Sequence, residues 1–158
     1  MSNNPDQTTA LNSFFHQFTQ EKIPLLAYCN PCIETLNPQQ TMISIPLTAK
    51  TMNHLQSMYL GVLTIGAECT AMLMPFMSIM QQNYNIHLIV KSLTADFLKR
   101  AESDVSFICN DGELITDTMQ QVLHSDKRLN TTVTVSAFTA TPKIEVANFQ
   151  VTLSMKQL

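Results

Sequence analysis

The sequence is short of charge. Asp, Glu, Lys and Arg make up 13% of its 158 residues, against roughly 25% in an average soluble domain, while 45% are hydrophobic. So little charge leaves apolar surface to hide in an oligomer, a ligand site or a membrane contact. Basic residues are the scarcest: nine Lys and Arg against twelve Asp and Glu give a net charge of −3 and a pI near 5.7. Lys99-Arg100 is the one tight basic pair, and Asp126-Lys127-Arg128 is a mixed cluster. Neither makes the stripe that a phosphate backbone needs, which excludes nucleic acid as the main partner. The polar first residues lack the basic and apolar regions of a secretory leader. Cys29, Cys32, Cys69 and Cys109 lack regular spacing, so free thiols and a cytoplasmic location are expected. Internal repeats and low-complexity stretches are also missing. A length of 158 residues suits one domain spanning 1–158 around one core.

What is present is a regular alternation of patterns. Residues 1–8 are polar and expected to be disordered. Thr8 or Thr9 would cap a helix over about 9–20, whose Leu11, Phe14, Phe15 and Phe18 recur at helical spacing and should face the core. Residues 23–28 form an apolar connector, and Cys29-Asn30-Pro31-Cys32 reads as a turn. Strands are expected over 33–36 and 41–47, with Pro46 marking a strand end or edge. Strands over 86–98 and 105–109 follow, joined by a polar turn at 100–104. A short helix runs from Asp111 toward His124. A hairpin closes the chain, with strands 130–139 and 144–155 about Thr141-Pro142-Lys143. An antiparallel sheet with one all-apolar helix predicts an α+β domain whose sheet curls around that helix.

That helix lies in the 24 residues 57–80, where Glu68 is the one formal charge and Pro75 the one strong interruption. The stretch is long enough to span a bilayer. Glu68 would then sit near the middle, at about 2.5–3.5 kcal/mol, and no basic cluster or Trp belt flanks it. The amphipathic strands on both sides need a partner that a buried helix supplies, so no membrane span is expected.

The chemistry concentrates between Asn53 and Glu68. A polar loop enters the helix, whose first turn holds Gly61, and the single carboxylate follows seven residues later. Seven residues is almost two turns, which puts Gly61 and Glu68 on one face. First-turn amides carry partial positive charge and can polarise a carbonyl oxygen. Gly61 has no side chain and allows close approach to that backbone.

This stretch resembles the hotdog thioesterases, in particular the phenylacetyl-CoA thioesterase branch. That branch has Asn, four residues to Thr, then His-Gly-Gly, and later Ala-Asp. Asn53, Ser57, Gly61, Ala67 and Glu68 fall on the Asn, the Thr, the second Gly, the Ala and the acid without a gap. Residues 89–104 are similar to the family's strand and turn after the central helix, and the order of elements matches from about residue 24. The whole chain is most similar to an uncharacterised thioesterase-like branch of hotdog proteins. The resemblance implies a homodimer or tetramer with each site between subunits, an acyl-CoA substrate and no cofactor besides the coenzyme A of that substrate. Residues 59–61 of one subunit would hold the thioester oxygen. Glu68 of the other would act as general base or nucleophile, with Asn53 placing thioester or water and Ser57 beside the acid. Tyr59, Leu60, Met58 and His54 would contact substrate. Tyr59 stands where the branch has His, Leu60 where it has the first Gly, and Glu68 is one methylene longer than Asp. These departures favour a second expectation, a non-catalytic acyl or acyl-CoA binding module; a dehydratase of the same fold would want a His that His54 does not supply.

Other features carry structural readings. The two Cys of 29–32 lack a second pair for zinc, so no metal site is expected. His16, His87 and His124 are scattered. The methionines are core or the lining of an acyl channel. Lys99 and Arg100 are an exposed turn or a contact for coenzyme A phosphates.

Overall fold

The computed structural model describes residues 5–158, with side chains from residue 8. The helix α1 (Pro5–Lys22) and the short α2 (Pro24–Tyr28) come first, then β1 (Cys32–Leu36) and β2 (Thr41–Ile45). The long α3 (Leu60–Gln82) follows, then β3 (Ile86–Phe97), β4 (Val105–Cys109), α4 (Gly112–Val122), β5 (Leu129–Thr139) and β6 (Glu145–Gln157). All six strands join one antiparallel sheet in the order β1-β2-β4-β5-β6-β3. The expected α+β architecture, a sheet around a central apolar helix, is what forms.

Two expectations at the start of the chain are corrected. The stretch expected to be disordered is helical from Pro5, and residues 1–4 lie outside the described residues. Thr8 and Thr9 are therefore helix interior, not caps. The apolar connector is itself helical, because Pro24 sits in the first turn, where its missing N–H costs nothing. Phe15 is buried as its spacing predicts, but Phe14 is 41% exposed and stacks on Phe18 instead. Asn12 fixes α1 to the sheet: its Nδ2 donates to Ile33 O at 2.9 Å and its Oδ1 accepts from Ile33 N at 2.7 Å. One amide side chain thus pairs the edge strand β1 much as a neighbouring strand would.

Among the described residues, the helix α3 is the one element apolar and long enough to cross a membrane, and it is instead core. Val62, Leu63, Ala67, Ala71 and Met74 pack on the sheet, while Cys69, Leu73 and Met77 pack toward α1 with Phe15, Leu26 and Ile33. Pro75 does not end it; the helix continues to Asn83, whose left-handed backbone caps it. Gly66 lies against the ring of Phe107 on β4, so closely that a Cβ there would overlap ring atoms.

The turn after β3 is not a hairpin. β3 pairs with β6, while β4 lies between β2 and β5. The crossing segment 98–104 is held at several points: Leu98 N and Lys99 N donate to Val146 O, Asp104 Oδ1 accepts from Leu47 N at 2.7 Å, and Ala101 O accepts from Met58 N at 2.8 Å. This last bond ties the crossing to the loop that precedes α3.

Candidate active site

The loop before α3 is organised by Asn53. Its Oδ1 accepts from Leu55 N at 2.8 Å, Ser57 N at 3.3 Å and the Ser57 hydroxyl at 3.3 Å. Its backbone N–H donates to Ser57 O at 2.8 Å, and Gln56 takes a left-handed conformation to close the turn. Asn53 Nδ2 has no acceptor among the described residues. One end of this amide therefore builds the loop and the other remains free to donate. Ser57 is buried and spent on Asn53.

This geometry carries a prediction. Asn53→Ala should destabilise the protein by about 1–3 kcal/mol through three lost acceptor contacts, read by thermal unfolding. Asn53→Asp keeps the acceptor and removes the free donor, so it should retain most of that stability.

The rest of the loop runs into the helix start. Tyr59 N donates to Thr51 O at 2.9 Å, and the first helical bonds are Val62 N and Leu63 N to Tyr59 O. The N–H groups of Leu60 and Gly61, in the first turn, have no backbone acceptor, as helix geometry dictates. They are the two donors a carbonyl oxygen could meet. The expectation that Gly61 leaves this backbone open is modified: the Tyr59 ring lies over it, with Cε1 2.5 Å from where a Cβ would be. Tyr59 is 52% exposed and Leu60 55%, so both side chains stand in solvent at the helix start.

A cleft of about 490 Å³ forms where this loop meets the crossing segment, a volume typical of small-molecule sites. Asn53, His54, Ser57, Met58, Tyr59 and Leu60 all line it, six of the eight residues singled out in the sequence. Opposite them stand Leu63, Phe97, Leu98, Lys99, Arg100 and Ala101. The pair Lys99-Arg100 therefore shares the cleft with the positive end of α3, a combination suited to an anion. Phe97 and Leu98 were not identified as site residues; a strand end read only as sheet gave no signal that it would return to the loop.

Glu68 lies elsewhere. It faces a second cavity of about 260 Å³, roofed by α1 and α2 and walled by Phe15, Phe18, Leu26, Leu73 and Phe76. It is half-buried and has no hydrogen-bond or ion-pair partner among the described residues. Burial raises its carboxyl above the ordinary value near 4.5. Its neighbour Cys69 is no nucleophile: burial, then the adjacent Glu68 carboxylate, push its thiol far above the usual range. Seven residues at 1.5 Å rise separate Gly61 from Glu68 by roughly 10 Å along the axis. Leu60 lines the first cleft and Glu68 the second cavity.

Residues 12–155 match the family described as a domain of unknown function, DUF4442. No functionally curated protein matches the chain. Among solved structures, a Shewanella oneidensis protein provisionally assigned as a thioesterase has a TM-score of 0.78 at 16% identity, covering 94% of this chain and 99% of that one. A Chlorobaculum tepidum protein of unknown function has a TM-score of 0.79 at 14% identity, with 99% of both chains covered. A Haemophilus influenzae thioesterase has a TM-score of 0.65 at 12% identity, covering 91% of this chain and 89% of that one. With the sheet curled on its central helix and these structural neighbours, the fold is the hotdog, and the chain belongs to the DUF4442 family.

Proposed function

We propose that this protein hydrolyses an acyl-CoA thioester at a site shared by two copies of the chain. The observation that carries the reading is the split constellation: amide donors and a basic cleft at one place, an unpartnered carboxylate roughly 10 Å along the same helix. Each half lacks what the other has, and a second copy supplies it. The neighbours described as thioesterases support the chemistry.

In this reading Leu60 and Gly61 N–H hold the thioester oxygen, and Asn53 Nδ2 orients thioester or water. Glu68 of the other copy takes a proton from water as the water oxygen bonds to the carbonyl carbon. The C–S bond breaks, the thiolate takes up a proton, and a carboxylic acid and free coenzyme A leave. Direct attack by the carboxylate is the alternative, giving a transient anhydride that water then opens. Lys99 and Arg100 meet phosphates of coenzyme A, which comes with the substrate; no other cofactor is needed. The four cysteines are free thiols, which suits a reducing cytoplasm.

A homodimer, or a tetramer of two dimers, fits the surface. The outer edge of β3 is unpaired over 12 residues, with one bulge at Lys91, and Ile89, Phe97, Leu98, Tyr59 and Leu60 leave large apolar area exposed nearby. Light scattering on the purified protein is expected to give the mass of two or four chains.

The test is a panel of aliphatic and aromatic acyl-CoAs followed by thiol release. Turnover of at least one above background is expected; none on any would remove the enzyme reading. The Tyr59 ring over Gly61 favours one second reading, a non-catalytic acyl-binding module. It would be supported by a fatty acid or acyl-CoA bound without turnover.

A further inference from the structure

The cavity at Glu68 has a construction that the catalytic reading does not use. It is set on α3 but roofed by α1 and α2. Phe15, Phe18 and Thr19 come from α1, and Leu26 from α2. The Thr19 hydroxyl is occupied by His16 O at 3.0 Å, and the Cys69 thiol is buried. The lining is thus apolar with one carboxylate that has no partner. Phe18 on α1 and Phe76 on α3 both line it and meet, their ring centroids 4.9 Å apart. Asn12 ties the α1 part of this roof to β1 through both ends of its amide.

We infer that this cavity is the acyl pocket, and that the Phe18–Phe76 pair sets the length of chain it admits. Its occupant is an amphiphile: an apolar tail of limited length, with a polar end at Glu68. A volume of about 260 Å³ exceeds the roughly 150 Å³ of a dry cavity that takes benzene. At about 30 Å³ per water-sized group, which a methylene resembles, it holds roughly eight carbons. The inference rests on the thioesterase reading for the identity of the polar end, but the pocket itself can be tested without turnover.

The experiment is calorimetric titration of the full-length protein with straight-chain primary alcohols from four to twelve carbons, whose neutral end can donate to Glu68, alongside hydrolysis of acyl-CoAs of matching length. Affinity should rise about fourfold per methylene and stop rising near eight carbons. Phe76→Leu should move that limit to longer chains, and Met72→Phe, which fills the same cavity, to shorter ones. Both should have wild-type circular dichroism. Neither residue contacts the reacting carbonyl, so their effect on hydrolysis should appear in KM against chain length. Chain-length-dependent binding with no turnover of any acyl-CoA would keep the pocket and remove the hydrolase. Turnover whose chain preference ignores both substitutions, or no binding of any of the alcohols, would overturn the pocket.

Discussion

Glu68→Gln should lower turnover of the best acyl-CoA by at least about a hundredfold and, unlike most active-site losses, raise the melting temperature at neutral pH. The first effect follows from removing the proton acceptor while keeping the shape: a positioned general base is worth roughly 10²–10⁴ in rate. The second follows from burial. Glu68 is half-buried beside Cys69, Met72 and Leu73 with no partner among the described residues, so its ionisation is disfavoured in the folded state and its carboxyl is raised. The folded protein then holds this proton more tightly than the unfolded chain does. Stability is complete below the ordinary carboxylate value, where both states are protonated. It is lost as pH rises from there to the raised folded value, and stays lost above it.

Gln carries no proton to lose. The variant and the wild type should therefore melt alike at about pH 4 and below, and diverge in favour of Gln as pH rises. Turnover of the wild type should increase with pH through an inflection above the ordinary carboxylate range, since only the ionised form accepts a proton. A variant that is less stable at neutral pH and dissociates to single chains would instead make Glu68 an ion-pair partner across the interface. Melting curves at several pH values and light scattering separate the two outcomes.

The sequence made the fold legible where periodicity was unambiguous. The alternation in 41–47 and 144–155, the Thr- and Val-rich run 130–139, and the single carboxylate in 57–80 lead directly to strands and a buried helix. The start of the chain was less legible: a polar opening reads as disorder, yet α1 is helical from Pro5, held from the far end by Asn12 on Ile33. That contact spans 21 positions, and no local signal reveals it. The loop half of the site was visible because Asn53 to Leu60 are contiguous. Its opposite wall was not, because Phe97 and Leu98 reach it through a strand that pairs with β6 rather than β4. Gly61 and Glu68 are almost two turns apart, but spacing on a helix does not reveal which neighbour covers each turn. Here the crossing segment covers one end, and α1 with α2 the other.

The second large effect concerns what holds those two ends of α3 in place. Phe107 has no exposed surface, and its ring lies against Gly66, between Gly61 and Glu68 on the helix. Phe107→Ala removes a fully buried ring under the helix and should cost about 3–5 kcal/mol. Gly66→Ala tests the same contact from the other side. In an exposed helix that change would gain about 1 kcal/mol. Here the new Cβ would occupy ring atoms of Phe107, and neither a fully buried ring nor the core helix can yield without displacing neighbours. Overpacking of this kind costs about 1–3 kcal/mol, so Gly66→Ala should destabilise despite its better propensity. In a Phe107→Leu background the obstacle is smaller, and Gly66→Ala should become neutral or stabilising. A coupling of about 1 kcal/mol or more in this cycle, read by chemical denaturation, would establish direct contact; additive effects would place the helix higher on the sheet. Because α3 carries the amide donors in its first turn and the carboxylate about two turns later, Gly66→Ala should also lower activity more than its stability loss explains. In the proposed two-copy site, a shift of the helix by the width of a methyl group would move both the amide donors and the carboxylate away from the groups they act with.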